Sequence, residues 1–283
     1  TGIDIGLNVR LINRTNFRWD IGVNMGTYAN KVLTVPGGSF TTTYAGATFI
    51  TKEGEAANQF YGYTTSGVYA TDAEAASAGL MKKMSDGSMV AFKGGDIRFT
   101  DLNGDRMIDD NDRSVIGDPN ATWIGGINNR IGWKRFTLEA LFTFSAGGDV
   151  YNYMRHQLES LSGVENQLQS ANNRWRTNGQ VTNTPKATWG DPMGNSSFSD
   201  RWIEDGSYMR LRTLSLSYRV PVKGQGFMKD LMVYATGNNL LTFTKYLGYD
   251  PEFSSNPSVF AQGIDTGLDP IFKSVMFGVK IGL

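Results

Sequence analysis

The sequence has no cysteine, a single histidine and few charged residues. Only 19% of the 283 residues are Asp, Glu, Lys or Arg, whereas soluble domains usually carry about 25%. Without cysteine, the chain cannot form disulfides, thiolate zinc sites or a cysteine nucleophile. The 27 lysine and arginine residues are balanced by 27 aspartate and glutamate residues, so the formal net charge is zero. The chain therefore lacks the basic excess that nucleic-acid binding requires, and we expect no nucleic-acid partner.

Long apolar runs and catalytic motifs are also missing. No apolar stretch approaches the roughly 18 residues that a transmembrane helix needs, so a chain that crosses a membrane must do so with strands. His156 is the only histidine, no Gly-x-Ser-x-Gly motif is present, and no carboxylate pair stands out. We therefore expect that the chain is not an enzyme.

The chain is instead rich in glycine and aromatic residues arranged in alternating patterns. It contains 34 Gly, 16 Phe, 12 Tyr and 6 Trp. Apolar and polar residues alternate over about ten positions, the length of a transmembrane β-strand, whereas strands of a soluble β-sandwich, the alternative fold, usually have about five or six residues. The predicted strands are 2–13, 17–29, 40–50, 59–69, 122–133, 136–147, 213–220, 231–243 and 273–283.

One face of each predicted strand is apolar. In the last strand Val275, Phe277 and Val279 share a face, as expected where one side meets lipid and the other a polar lumen. Arg210 and Arg212 fall in the apolar phase of the strand at 213–220, which is tolerable only beyond the hydrocarbon layer. The pattern predicts an all-β fold, a transmembrane antiparallel β-barrel to which this chain contributes about nine strands.

The connections between the predicted strands alternate between short and long. Those near 14–16, 51–58, 134–135 and 221–229 are short, and those near 30–39, 70–121, 148–206 and 244–271 are long. Outer-membrane barrels have short periplasmic turns and long extracellular loops, so we expect the long connections to be extracellular. An odd number of strands with two open edges does not close in lipid, which predicts a part of a larger barrel.

Several blocks of the sequence resemble the SusC/RagA family of TonB-linked outer-membrane transporters from Bacteroidota. The blocks are Gly95-Asp-Ile-Arg-Phe-Thr-Asp-Leu-Asn-Gly-Asp105, Arg201-Trp-Ile-Glu-Asp-Gly-Ser-Tyr208, Gly237-Asn-Asn-Leu-Leu-Thr-Phe-Thr244 and Gly248-Tyr-Asp-Pro-Glu252. Together with Phe17-Arg-Trp19 in the opening hairpin and Phe60-Tyr-Gly-Tyr63, they stand in the family's order and are spread over nearly the whole chain. Arg106 departs from the pattern, because the family normally has glycine there.

The resemblance implies a function in import. Residues 1–283 would form the C-terminal part of a roughly 22-stranded barrel in the cell outer membrane, with a plug upstream that TonB energises. A SusD-like surface lipoprotein would close the extracellular mouth, and the cargo would be oligosaccharides or oligopeptides. A passive porin or a structural outer-membrane barrel is the alternative, because the strand pattern alone does not separate a pore from a pump.

An acidic segment has the ligand order of a calcium loop. Oxygen ligands stand at positions 1, 3, 5, 9 and 12 of a twelve-residue segment, with a carbonyl at position 7. These residues are Asp101, Asn103, Asp105, Asp109 and Asp112, with Met107 supplying the carbonyl. Arg106 occupies position 6, where a calcium loop has glycine. A solvated turn without metal is the other interpretation, and both stay open.

The long connection at 148–206 carries five aromatic residues among Asn, Arg and Gly. They are Tyr151, Tyr153, Trp175, Trp189 and Trp202. Aromatic rings with amide and guanidinium neighbours suit contact with a sugar or a peptide. Packing within the loop, or contact with a lid protein, is the competing interpretation.

Overall fold

A computed structural model describes residues 1–222, 228–253, 258 and 261–282. Within them, long strands form one antiparallel seven-stranded sheet in the order β1-β2-β12-β13-β16-β17-β19, which we call the wall. The wall strands are β1 (Gly2–Arg14), β2 (Phe17–Tyr28), β12 (Trp123–Trp133), β13 (Phe136–Ala146), β16 (Tyr208–Val220), β17 (Asp230–Thr244) and β19 (Ser274–Gly282). Residue Leu283 of the last predicted strand lies outside the described residues.

The remaining elements are short and lie in the connections. The strands are β3 (Ser39–Tyr44), β4 (Ala47–Lys52), β5 (Gln59–Tyr63), β6 (Thr65–Val68), β7 (Met81–Lys83), β8 (Met89–Ala91), β9 (Ile97–Phe99), β10 (Met107–Ile108), β11 (Arg113–Gly117), β14 (Asp149–Asn152), β15 (Ile203–Asp205) and β18 (Ile264–Asp265). The helices are α1 (Asp72–Ala78) and α2 (Tyr153–Glu159), with 3-10 turns at Asp110–Asp112, Gln169–Asn173 and Asp200–Trp202. None of the helices in the described ranges is long and apolar enough to span a membrane.

The register of the wall separates an apolar face from a polar face. Directly paired residues point to the same side of a sheet. One row of pairs runs Trp19–Ile131–Leu138–Leu216–Ala235–Phe277 across six strands. The neighbouring row on the other side runs Asp20–Arg130–Glu139–Ser215–Thr236. The apolar side chains of the wall are largely exposed, which confirms the predicted alternation.

A β-bulge corrects the predicted phase of Arg210. One extra residue of β16, Arg212, is inserted where Leu211 and Thr213 pair with Phe142 and Leu141. A bulge of this kind reverses the alternation beyond it. Arg210 therefore pairs with Thr143 on the polar face, so its predicted place on the apolar face was wrong.

Two of the nine predicted wall strands are also wrong. Residues 40–50 and 59–69 contribute to β3, β4, β5 and β6, which form small separate sheets with β11 and β9. β4 is buried on both faces rather than on alternate residues, which is typical of a small packed core and not of a strand between lipid and lumen. Among the described residues the wall has seven strands, still an odd number with open edges at β1 and β19, as a fragment of a larger barrel requires.

With seven strands, the alternation of connections persists. The short turns at 15–16 and 134–135 lie at one end of the wall, because Phe17, Trp133, Phe136 and Tyr218 form a single row of pairs beside them. Val220 and Asp230, which flank the third short connection, lie at the same end; residues 223–227 of that connection lie outside the described residues. The long connections at the other end are 29–122, 147–207 and 245–273. We call them the first, second and third long loops; the first one contains the predicted connections at 30–39, 51–58 and 70–121.

Candidate functional site

The three long loops pack into one assembly at their end of the wall. A buried cluster joins Phe49 and Phe60 of the first loop to Tyr151 and Trp202 of the second and to Ile264 of the third. Backbone pairing also crosses the loops, since β14 pairs with both β15 and β18. The loops therefore carry a core of their own, comparable to that of a small soluble domain, while the apolar side chains of the wall stay exposed.

Most of the predicted substrate-binding aromatics lie within this assembly. Tyr151 and Trp202 are fully buried, and Tyr153 packs against the same cluster at its edge. For these residues the burial favours packing, the interpretation that the sequence left open. Trp189, 75% exposed, has a surface to offer to a ligand or partner.

Trp175 fastens the second loop onto the first. Its indole Nε1–H donates to the carbonyl of Ala70 at 3.0 Å, and its ring covers Gly95. A Cβ at Gly95 would lie 2.5 Å from the ring, and the φ of Gly95 is +84°, a conformation that favours glycine. Gly95 begins the most recognisable block of the sequence, and the structure gives that block a packing role.

His156 lies at the centre of the loop assembly and is neutral there. Because the Ser196 carbonyl can only accept, His156 Nε2–H donates to it at 2.6 Å, and Nδ1 accepts from the Tyr151 hydroxyl at 2.5 Å. Its ring stacks on Trp202 with centroids 4.7 Å apart. Burial lowers the pKa of His156, and the nearby Arg201 and Arg155 add to the shift while Asp191 opposes it.

The third loop is tied to the wall by a buried ion cluster. Arg210 of β16, whose side chain is 1% exposed, pairs with Asp250, and its Nε lies 3.6 Å from Glu252. Arg212, the bulge residue, reaches the same Glu252 at 2.5 Å. Asp250 also accepts from the backbone N–H of Ile271 at 3.1 Å. The bulge thus places two arginines beneath the Gly248–Glu252 block.

A cavity of about 270 Å³ opens between the second and third loops. Its lining combines apolar and charged groups, including Asn152, Arg155, Leu158, Leu247, Tyr249 and Asp265. Leu247 and Tyr249 are 73% and 78% exposed, so they stand at its rim. Sequence reasoning missed this cavity, because its lining residues come from two separate loops that meet only in the folded chain.

The predicted calcium ligands form a loop held by its own side chains. Both carboxylate oxygens of Asp101 accept backbone N–H groups, from Gly104 at 2.7 Å and from Arg106 at 2.8 Å. Asp112 likewise accepts from Leu102 and from Asp109, both at 2.9 Å. Arg106 adopts a positive φ of 63°, so the turn forms without glycine.

The remaining predicted ligands contribute to the same network. Asp105 accepts from the N–H of Met107 at 2.8 Å, and Asn103 accepts from that of Asp105 at 3.0 Å. In the described residues, no three acidic, histidine or cysteine side chains converge as a metal-holding group. Calcium binding therefore stays a prediction.

The charged side chains on the polar face of the wall pair with one another towards the end with the short turns. Asp20 accepts from Arg10 at 2.8 Å and from Arg18 at 2.7 Å, and Arg130 lies 3.2 Å from Glu139. A polar hollow of about 610 Å³ follows towards the short turns, lined by Arg130, Lys134, Arg135, Glu139, Arg219 and Lys280 among others. These charged side chains thus share the polar face of the wall.

The chain resembles known receptors over nearly its full length. It is 31% identical over 297 residues to TonB-dependent receptor P3 of Formosa agariphila, covering 99% of this chain and 28% of that protein. It is 25% identical to TonB-dependent receptor SusC of Bacteroides thetaiotaomicron, covering 99% of this chain and 26% of that protein. The chain thus spans little more than a quarter of the length of these relatives. No protein-family model matches it.

Solved structures share its fold. The structure of the RagAB peptide transporter superposes with a TM-score of 0.76 at 20% identity, over 99% of this chain and 29% of that chain. The RagAB peptide importer in the closed-closed state gives a TM-score of 0.74 at 22% identity, again over 99% and 29%. At this identity the likeness establishes the fold of the fragment, a part of a larger barrel.

Replacing Asp250 with Asn should loosen the third loop. The substitution leaves Arg210 buried without its main counter-ion, which costs about 3 kcal/mol when a buried pair is broken. Hydrogen exchange at the backbone N–H of Ile271, together with protease cleavage within 245–273, reports the change. Asp230→Asn is the matched control, because its partner Arg219 is 70% exposed and exposed pairs contribute less than about 1 kcal/mol. If hydrogen exchange and protease cleavage in the third loop were the same in both variants, the pair between Arg210 and Asp250 would not hold the loop.

Acid should destabilise the loop assembly through His156. Its pKa in the folded state is lower than the ordinary value of 6.5, so the unfolded loops bind the proton first. The stabilisation is complete above pH 6.5 and is lost as the pH falls towards the lowered pKa. Thermal unfolding at pH 7.5 and 5.5 measures this loss, and His156→Gln should remove most of the difference between the two. If His156→Gln lost as much thermal stability between pH 7.5 and 5.5 as the native chain, His156 would not be the source of the acid sensitivity.

Proposed function

Because the chain belongs to the SusC/RagA family of TonB-dependent receptors, we propose that it forms the C-terminal wall and loop assembly of an active outer-membrane importer. The single observation that carries the proposal is the division of the molecule into two parts. A wall with one apolar face suits lipid, and a separately packed loop assembly at one end suits the capture of a ligand. The long loops would lie outside the cell and the short turns in the periplasm.

The cavity between the second and third loops is the proposed place of cargo contact. Arg155, Asn152 and Asp265 supply hydrogen-bonding groups around apolar side chains, the combination that recognises oligosaccharides and oligopeptides alike. Tyr249 at the rim and Trp189 on the same loop assembly offer exposed rings for stacking. The name of the RagAB importer describes a peptide as its cargo, which supports the oligopeptide class without deciding between the two for this chain.

We also propose that a SusD-like lipoprotein covers the loop assembly and that TonB drives transport through the part of the protein beyond this chain. Leu247, Tyr249 and Trp189 are exposed apolar side chains of the loop assembly, which such a lid would contact. Contiguous exposed apolar surface commonly marks a partner contact, and Leu247 and Tyr249 lie together at the rim of the cavity.

Measuring whether uptake depends on TonB distinguishes an active importer from a passive porin. The full-length receptor, in its native outer membrane, should take up labelled oligosaccharides or oligopeptides only when TonB is present. Tyr249→Ala should weaken binding of the cargo by roughly tenfold, because it removes an aromatic ring on which the cargo stacks. Val181→Ala is a control on the same loop assembly, 89% exposed and away from the cavity lining. Uptake that continues without TonB would favour the porin.

We propose, as a separate point, that the Asp101–Asp112 segment takes calcium to stiffen the first loop. Its support is the order of hard oxygen ligands that calcium prefers and the turn at Arg106, which forms despite the missing glycine. Calcium should raise the thermal midpoint of the native receptor, and Asp101→Ala with Asp105→Ala should abolish this rise. Asp86→Ala, in a surface turn of the same loop, should keep it. No calcium effect on the native receptor would reject the site.

A further inference from the structure

A row of aromatic rings lies on the apolar face of the wall beside the short turns. Phe17 pairs with Trp133, Trp133 with Phe136, and Phe136 with Tyr218. The rings of Trp133 and Phe136 are stacked with centroids 6.2 Å apart, and those of Phe136 and Tyr218 are 4.7 Å apart. Trp133 is 53% exposed. This continuous ring surface, which we call the aromatic row, is open to the surroundings of the wall.

Two cations stand directly beyond the aromatic row on the same face. Arg14 is the register partner of Phe17, so it points to the side that Phe17 occupies. The Lys134 ammonium lies over the Trp133 ring, 5.4 Å from its centroid. The two turns touch, because the N–H of Lys134 donates to the carbonyl of Asn16 at 2.9 Å. Lys134 lies in the turn at the edge of the wall, so it also borders the polar hollow on the other face. Its ammonium group, however, lies over the Trp133 ring on the apolar face.

A shallow hollow continues from the aromatic row along the apolar face. It measures about 530 Å³ and is lined mainly by Phe136, Leu216, Tyr218, Ala235, Phe277 and Val279. Ala235 is paired between Leu216 and Phe277, and its short side chain leaves the depression between the larger ones. The hollow spans β13, β16, β17 and β19 and begins at Phe136 and Tyr218. The aromatic row therefore connects the two cations at one end to the apolar hollow at the other, on one face of the wall.

From this sequence of groups we infer that the rim formed by Arg14 and Lys134 binds the phosphate of an anionic phospholipid, whose acyl chain lies in the hollow. The inference rests on the proposed function, since it requires the apolar face to meet lipid. Aromatic rings settle at the level of the headgroups, and a basic side chain near the membrane surface attracts an anionic headgroup with about 1 kcal/mol. Neither Arg14 nor Lys134 has an acidic partner among the described residues, so both charges are available to a phosphate.

Retention of lipid by the full-length receptor tests the inference. The receptor is placed in nanodiscs of phosphatidylcholine with a minor fraction of phosphatidylglycerol, and the lipids that stay bound are counted by native mass spectrometry. The native receptor should enrich phosphatidylglycerol, and Arg14→Gln and Lys134→Gln should each reduce this enrichment roughly fivefold. Lys134→Arg should retain it, which separates loss of charge from damage to the turn.

Lys280→Gln is the matched control. Lys280 follows Val279 in β19, near the same end of the wall as Arg14 and Lys134. Its register partner is Met232, which lies on the polar face, so Lys280 also points to the polar face. The control should keep the full enrichment. No enrichment in the native receptor, or an equal loss in the control, would overturn the lipid site. A receptor that does not insert into nanodiscs at all would instead overturn the proposed membrane function.

Discussion

The continuous antiparallel pairing of the wall strands is the constraint on which the rest of the structure depends. Backbone groups in a hydrocarbon layer must pair within the protein, and β1 to β19 meet this demand through six successive strand pairings. The register also decides which side chains share a face, so one row carries Leu138 and Leu216 while the next carries Glu139 and Ser215. A slip by a single residue would exchange these faces throughout a strand. Lipid contact and a polar lumen face follow from the same pairing.

The register of the wall shifts at β-bulges, and the bulge in β16 serves the loops. At the bulge the strand inserts Arg212 and turns Arg210 to the polar side, where both reach the acidic residues of the third loop. A buried arginine is costly unless it is paired, so Arg210 and Asp250 each stabilise the other's position. Bulges commonly occur where a strand must redirect a side chain. Here the redirection joins a lipid-facing sheet to a loop assembly with a soluble type of core.

Much of the wall was predictable from the sequence because its physics is periodic. Alternation of period two, together with strand length, located all seven wall strands among the nine proposed. The two wrong strands, at 40–50 and 59–69, also contain apolar β-formers such as Phe49 and Phe60. Periodicity alone does not distinguish a strand packed into a small core from one that faces lipid, because both bury apolar side chains. Only the tertiary partners, Tyr151 and Trp202, decide between the two environments.

The loop chemistry was less predictable, because it depends on contacts between distant segments. Tyr151 and Trp202 look like ligand contacts in the sequence, yet each is buried against residues about 50 to 150 positions away. The cavity arises where Arg155 and Tyr249 meet from different loops, and no local pattern encodes that meeting. It follows that the cavity can change through loop residues while the wall remains the same, because the residues that line the cavity lie in the loops and not in the wall strands. Chains of low sequence identity can therefore keep the same wall and differ in the groups that line the cavity.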